Sequence, residues 1–360
     1  RSLRRALLRW YRRRRRDLPW RRTSDPYAVW VSEVMLQQTT AAVVARRWGE
    51  FLRRFPTVRA LARAPEGDVL AAWAGLGYYA RARSLRRAAR WVVSAGAFPR
   101  TAEEWRALPG VGPYTAAAVA SICYGEPAAV LDGNVARVLS RLGGLRLDPR
   151  SAAGSRRLGA TAQSLLDPSA PGDSNQALME LGATVCTPRA PRCPACPLGR
   201  SCRARSLGTP EAFPPRRKRE ASRTIHLVAG VARRRGRIVL VEDDEIVRGH
   251  LIVPLFRVPA GRPPAKVLRS EWENAAGRQV GALEPLGKLR HSVMDRRYHV
   301  DVFAFEEKAA SRKLRSQHAK AGRKGSIPSP RRIRLLRESE LSRLGHGGLL
   351  VKLLQLLAGR

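Results

Sequence analysis

The chain has 360 residues, 44% of them hydrophobic, and a formal net charge of +39 from 68 basic and 29 acidic side chains. That length allows two domains with a core each, and no apolar run reaches the roughly 20 residues that span a bilayer or shows a secretory leader. The charge points to a polyanionic partner, even with part of the arginine excess assigned to base composition, and the five cysteines, four of them clustered, do not resemble a secreted disulfide framework.

Residues 1–16 read as a basic helix with Leu3, Ala6, Leu7 and Trp10 on one face. Pro19 stops it within Asp17-Leu18-Pro19-Trp20-Arg21, where Trp20 is either core packing or a wall for a base. Asp25-Pro26 combines an N-cap with a first-turn proline and opens a helix through Val29 to Thr39. Val31, Val34 and Met35 make its buried stripe, and Glu33 sits beside them. Such a carboxyl is either a solvated surface glutamate or a desolvated one, whose raised pKa suits a general acid. Helices are predicted over 41–54, 66–74 and 82–95, with breaks at Pro56, Pro65 and Gly75 to Gly77. The turn Gly75-Leu76-Gly77-Tyr78-Tyr79, followed by Arg81 and Arg83, offers aromatics to bases and guanidiniums to phosphates. Two tyrosines at a core edge would give the same pattern. Pro99 and Thr101 open the next helix.

The stretch Leu108-Pro109-Gly110-Val111-Gly112-Pro113-Tyr114-Thr115-Ala116 reads as a tight glycine turn between two helices. Gly110 and Gly112 have no Cβ, so they can take positive φ and let a partner approach the backbone closely. The free N–H groups at the following helix start, Thr115 to Ile122, form a ready anion site; on this chain the anion would be a DNA phosphate. Leu131-Asp132-Gly133-Asn134-Val135 then holds a carboxylate near that site, unless Asp132 and Asn134 simply cap the helix over 135–142. Helical pattern continues through 175–183, and no strand pattern appears before residue 224. Cys186, Cys193, Cys196 and Cys202 are spaced to enclose one metal centre, generically zinc, whereas Cys123 is expected in the core. Residues 208–223 read as a Pro- and Arg-rich linker. Strands over 224–232, 237–242, 285–290 and 298–305, with helices over 264–277 and 339–358, describe an α+β domain; 307–333 reads as a mobile basic insertion.

Glycine hairpin, following helix and aspartate, in that order and spacing, resemble the helix-hairpin-helix-Gly/Pro-Asp superfamily of DNA glycosylases, the endonuclease III-like group. Across residues 1–207 the chain resembles the MutY adenine DNA glycosylases throughout. Tyr114 stands where the glycosylase-lyases carry a Schiff-base lysine, and Ser32-Glu33-Val34-Met35-Leu36-Gln37-Gln38-Thr39 looks like the adenine-pocket helix. The resemblance implies a mainly α glycosylase domain over 1–207, with its hairpin at 108–116 and a cluster loop at 186–202. A Nudix-like α+β recognition domain over 224–360 follows the 208–223 linker. It further implies a monofunctional enzyme of base excision repair that hydrolyses adenine from mispairs with 8-oxoguanine or guanine after flipping the base out.

By the same resemblance Glu33 is the acid, Asp132 acts at the sugar, and Tyr114 and Asn134 orient them. Leu18, Trp20, Arg21, Leu36 and Glu180 match positions around the adenine. Gln38, Thr39 and Tyr78 match those at the opposite base, and Gly110 and Gly112 those that grip the DNA backbone. The four clustered cysteines match ligands of a single four-iron four-sulfur cluster. The partner is double-stranded DNA bound by a monomer, without membrane attachment, in the cytoplasm at the nucleoid. The second domain departs from the family: His291-Ser292-Val293-Met294-Asp295 lacks the Phe-Ser-His wedge, leaving Arg296, Arg297, Tyr298 and His299 as replacements. Around Glu271-Trp272-Glu273 only a fragment of the Nudix hydrolase box survives, which argues against pyrophosphatase activity. The competing readings are a glycosylase-lyase for oxidised pyrimidines, opposed by Tyr114, and a non-catalytic DNA-binding protein, opposed by the intact Glu33 and Asp132.

Overall fold

The computed structural model of the chain describes residues 2–215, 222–243, 250–293, 295–309, 333–341 and 348–358. It divides into two compact units, Arg1–Lys218 and Arg219–Arg360. The division falls within the stretch read as a linker, and the first part of that stretch is packed on the first unit. Phe213 is buried there, and Arg141 Nε donates to its carbonyl at 3.1 Å. Proline-rich sequence rules out regular helix but not packing.

The described part of the first unit is all helix and loop. Its helices are α1 (Ser2–Arg14), α2 (Pro26–Leu36), α3 (Ala41–Arg54), α4 (Val58–Arg63), α5 (Glu66–Ala72) and α6 (Ala80–Ala95), then α7 (Ala102–Arg106), α8 (Pro113–Tyr124), α9 (Gly133–Gly143), α10 (Ala152–Leu165), α11 (Pro171–Thr184) and α12 (Arg203–Ser206). Local sequence sets many of the starts. Asp25 accepts from the N–H groups of Tyr27 and Ala28, each at 3.2 Å, and Thr101 with Glu104 forms a reciprocal capping box. α4 went unseen in the sequence because six residues give barely more than one turn of periodicity.

α8 is the central helix. Its Ala116 to Ala120 are buried, as expected for a small apolar run without a polar face, and it packs against α2, α7 and α11. Trp30 of α2 meets Trp105 of α7 edge to face at 5.4 Å. α11 lies close on the start of α9 because Gly182 has no side chain: a Cβ there would stand 2.6 Å from that of Asn134. That approach carries Met179 and Glu180 to the same cleft as Asp132.

The second unit is built on a sheet of β1 (Arg223–Arg234), β2 (Arg237–Asp243), β3 (His250–Ile252), β4 (Leu255–Arg257), β5 (Gln279–Val280), β6 (Glu284–Val293), β7 (Arg296–Lys308) and β8 (Arg334–Leu336). Its main order is β3-β2-β1-β7-β5, with β4 on β1, β6 on β7 and β8 on β2. β1 and β7 run parallel from Arg223↔Arg296 to Arg233↔Glu306. Parallel neighbours need a long connection, and this one includes α13 (Pro264–Ala276). Val228 and Phe305 pack with Leu268 and Trp272 of α13 in one core. Leu227 and Val300 pack in a second core with Leu350 and Leu353 of the C-terminal helix. The α+β architecture expected of this region is therefore present.

The single helix expected over 339–358 is described as α14 (Glu338–Leu341) and α15 (Gly348–Ala358), with 342–347 outside the described residues. β7 runs through Lys308, so the stretch read as an insertion begins in strand, and 310–332 lie outside the described residues. Tyr298 is 2% exposed in the sheet core, which removes it from the candidates for a replacement wedge.

Candidate active site

A cleft of 600 Å³ is lined by the residues after α1 and by α2, α8, α9 and α11. It gathers Glu33, Tyr114, Asp132 and Asn134 from three helices. Leu18, Trp20, Arg21, Leu36, Gln38, Thr39 and Glu180, expected around the two bases of a mispair, line it too. Trp20 is buried against Trp48, with ring centroids 6.4 Å apart, so the packing reading holds, and it also lines the cleft.

Glu33 is 3% exposed, in a helix buried all round from Tyr27 to Met35 rather than along one stripe. Burial pushes its carboxyl up from 4.5 to about 7, against the hydrogen bond from Tyr114; the charge of Asp132 raises it further and Arg21 opposes. The Tyr114 hydroxyl donates to Glu33 Oε2 at 2.8 Å and lies 3.1 Å from Met179 Sδ. Burial, with the charges of Glu33 and Asp132, raises the Tyr114 hydroxyl well above its ordinary value, so it stays a donor.

Asp132 does cap a helix: its Oδ1 accepts from Val135 N–H at 2.7 Å at the start of α9. Its Oδ2 accepts from Asn134 Nδ2 at 3.0 Å. The capping reading therefore holds, and the capping residue also lines the cleft. Asn134 is itself held by Arg137, whose Nη2 donates to Asn134 Oδ1 and to the Gly182 carbonyl, each at 2.9 Å. Arg137 Nε reaches the Cys186 carbonyl at 2.8 Å. The loop before Asp132 is pinned by buried Asn175, whose Oδ1 accepts from Val130 N–H at 3.0 Å while its Nδ2 donates to Ala128 O at 2.8 Å. Sequence reading missed Asn175 and Arg137, because neither type signals anything until its backbone partners are known.

Glu180 is fully buried yet surrounded by cations. Burial would raise its carboxyl, but bonds from Arg16 and Arg21 outweigh that and bring it down to about 2. Arg16 Nε donates at 2.8 Å and Arg21 Nη2 at 2.8 Å. This pair of contacts ties the Leu18 to Arg21 segment across the cleft from α11.

Two of the clustered cysteines, Cys186 and Cys202, touch the buried Arg141. Arg141 is 2% exposed; its Nη1 lies 3.3 Å from Cys186 Sγ and 2.7 Å from the Thr187 carbonyl. Among the described residues it makes no ion pair with a carboxylate. Cys202 Sγ contacts the Arg141 carbonyl at 3.4 Å, and Cys196 feels the charges of Cys186, Cys202 and Cys193. Burial pushes the Cys196 thiol up to about 11. No three His, Cys, Asp or Glu among the described residues stand close enough to hold a single ion. A buried guanidinium with no carboxylate partner, beside the Cys186 thiol, is chemistry that suits an anionic metal–thiolate group. Cys123 is only partly buried.

The two hairpin glycines differ in what they do. Gly110 has φ +79, and a Cβ on it would stand 2.4 Å from that of Ser84. Gly112 has φ −89 and is the N-cap of α8, with nothing within 4 Å of a built Cβ. Its lack of a side chain leaves space open rather than permitting a special backbone. The paired tyrosines also divide: Tyr79 is buried, while Tyr78 is 47% exposed, at φ +48, on the turn before α6.

Residues 31–161 match the model of the HhH-GPD superfamily base excision DNA repair proteins. The adenine DNA glycosylase of Mycolicibacterium smegmatis is 40% identical over 266 residues, covering 72% of this chain and 87% of that one. The chain belongs to the adenine DNA glycosylase family. The human member is 51% identical over 215 residues, 57% of this chain, and the match spans only 39% of the human protein's length. A solved thermostable thymine-DNA glycosylase is similar in fold, with a TM-score of 0.53 at 30% identity over 57% of this chain and 95% of that one. In this family member the superfamily match holds Glu33, the hairpin and Asp132, whereas Leu18 to Arg21, Glu180 and the clustered cysteines lie beyond its ends.

Proposed function

We propose that this chain is a monofunctional adenine DNA glycosylase that hydrolyses the N-glycosidic bond of adenine mispaired with 8-oxoguanine or guanine. The observation that carries this reading is Glu33, a buried carboxyl poised near pH 7 in one cleft with Asp132. A base stacked in a duplex is out of reach, so the adenine is flipped into the cleft, at a cost of a few kcal/mol. Protonated Glu33 delivers its proton to N7 of that adenine, improving the leaving group; general-acid help of this kind is worth about 10²–10⁴ in rate. Asp132, held as an acceptor by Asn134 and Val135, stabilises the oxocarbenium-like sugar or bonds to it, and water completes hydrolysis. Environment separates the two carboxyls into acid and acceptor. Glu180, with Arg16 and Arg21, and Leu18, Trp20 and Leu36 enclose the adenine. Gln38, Thr39 and Tyr78 meet the opposite base, and Gly110 and Gly112 seat the hairpin on the backbone.

The four clustered cysteines would hold a four-iron four-sulfur cluster, which supplies a rigid anionic anchor for the loop. This chain's part is Arg141, which neutralises that anchor, and Arg137, which ties its first cysteine to Asn134. The chain works as a monomer on double-stranded DNA in the cytoplasm, at the nucleoid. No helix among the described residues is long and apolar enough to cross a membrane.

Single-turnover base release from duplexes with adenine opposite 8-oxoguanine, guanine and thymine, beside an oxidised-pyrimidine duplex, tests the reading. Fast release opposite 8-oxoguanine, slower opposite guanine and none opposite thymine is expected. Cleavage only at the oxidised pyrimidine would replace it with a glycosylase-lyase. Asp132→Asn keeps an oxygen for the α9 cap but loses the acceptor charge. Release by that variant at the wild-type rate would remove Asp132 from the chemistry, and no release by the wild type from any of the duplexes would reduce the chain to a DNA-binding protein.

A further inference from the structure

Arg81 is not among the residues lining the cleft, and the guanidinium that the sequence offered to phosphates is instead taken up by backbone carbonyls. Its Nη1 donates to the carbonyls of Val34 at 2.7 Å, Met35 at 3.1 Å and Gln37. Its Nη2 donates to the carbonyls of Leu76 at 2.9 Å and Gly77 at 3.0 Å. The first set is the open C-terminal end of α2, where carbonyls lack helical partners and the dipole favours a cation. The second is the glycine turn before α6. Thr39 Oγ1 bridges the same two segments, 3.3 Å from the Leu76 carbonyl and 3.4 Å from Arg81 Nη2. The guanidinium also stands over the ring of Tyr78, 5.7 Å from its centroid. Burial lowers the Arg81 pKa to about 10, which still leaves it charged at neutral pH.

Two residues nearby have backbones that side chains disfavour: Gln38 at φ +60 and Tyr78 at φ +48. φ turns the residue against the peptide before it. Those two peptides carry the carbonyls of Gln37 and Gly77, and one guanidinium holds both. We propose that Arg81 is the positioning residue that locks Gln38 and Tyr78 together in left-handed backbone, and so sets discrimination of the base opposite the excised adenine without touching it. This rests on the placement of Gln38, Thr39 and Tyr78 at the opposite base under the proposed function. A planar fork can span two segments at fixed angles, and an ammonium cannot. Arg81 is absent from the charges that shape Glu33, which are those of Asp132 and Arg21, so the lock and the acid can be separated by experiment.

The test uses the full chain with Arg81→Lys and Arg81→Met. Hydrogen exchange on the free protein should rise about tenfold or more at residues 37–39 and 77–79, while the amides of 29–35 keep their protection. In single-turnover assays the ratio of adenine release opposite 8-oxoguanine to that opposite guanine should fall about tenfold, with the pH midpoint of release unmoved. Guanidinium ion added to Arg81→Ala should restore part of the ratio. Unchanged exchange, or an intact ratio in a folded variant, would overturn the proposal. So would a ratio that falls together with a shifted pH midpoint, since Arg81 would then act through α2 and Glu33. If the wild-type chain released no adenine from any duplex, the proposed activity and the discrimination claim would both fall. The exchange measurement would still report whether Arg81 holds the two segments.

Discussion

Glu33 shows what burial does to one carboxyl. A rise from 4.5 to about 7 means that the folded chain holds this proton more tightly than the unfolded chain does. The linkage runs from that sign: the site carries no penalty below about pH 4.5, loses stability as pH rises, and bears the full cost, roughly 3 kcal/mol, above about pH 7. Glu33→Gln removes the charge and keeps a carbonyl for the Tyr114 hydroxyl. The variant is expected to melt higher than wild type at pH 8, with the gap closing toward pH 5, while base release drops by about 10²–10⁴. Wild-type release should itself decline as pH rises through about 7, because the acid must be protonated. Thermal melts at the two pH values and a pH–rate profile check both halves; an equal melting gap at pH 5 and pH 8 would mean Glu33 is solvated after all.

At the scale of elements, the hairpin between α7 and α8 separates a glycine that the fold requires from one that it does not. Gly110 combines φ +79 with a Cβ position 2.4 Å from Ser84, so Gly110→Ala strains the backbone and pushes α6 away. A loss of about 1–3 kcal/mol is expected. Gly112 has ordinary φ and open space, so Gly112→Ala should leave the melting temperature nearly unchanged and weaken DNA binding instead. Melting and duplex affinity measured on both variants give opposite patterns if this is right; matching losses of stability would refute it. The same hairpin marks the limit of what sequence conveys. Proline, glycine and the caps at Asp25 and Thr101 announce helix starts because they act within four residues of themselves. Asn175, Arg137 and Arg81 act on carbonyls or N–H groups 44 or more positions away or on a different element, and an arginine among 68 basic residues carries no mark of that work.

For the whole molecule, the all-helical unit and the following strands were legible because their periods differ, 3.6 residues against two. The sheet order was not: β1 lies parallel beside β7, more than sixty residues on, through pairings that leave no local trace. Charge is a third property, one that no element owns. The formal +39 is spread over both units, and many of its arginines, such as Arg81, Arg137 and Arg141, are spent on backbone carbonyls rather than facing solvent. Net charge therefore overstates the electrostatic footprint, and the salt dependence of binding measures how much is left for phosphates. Each neutralised phosphate lowers log affinity by about 0.9 per log unit of salt. Duplex affinity is expected to fall steeply between roughly 50 and 200 mM salt, by about 10³ or more if six or more phosphates are neutralised. Undamaged duplex should show nearly the same slope as a mispaired one, because under the proposed function the hairpin and its neighbours meet the backbone, whereas the flipped adenine meets Glu33 and Glu180. Titrations at several salt concentrations on both duplexes check this. A shallow slope would assign the arginine excess to composition and internal bonding, and a slope steeper on the mispair would place basic side chains at the lesion rather than along the flanking backbone.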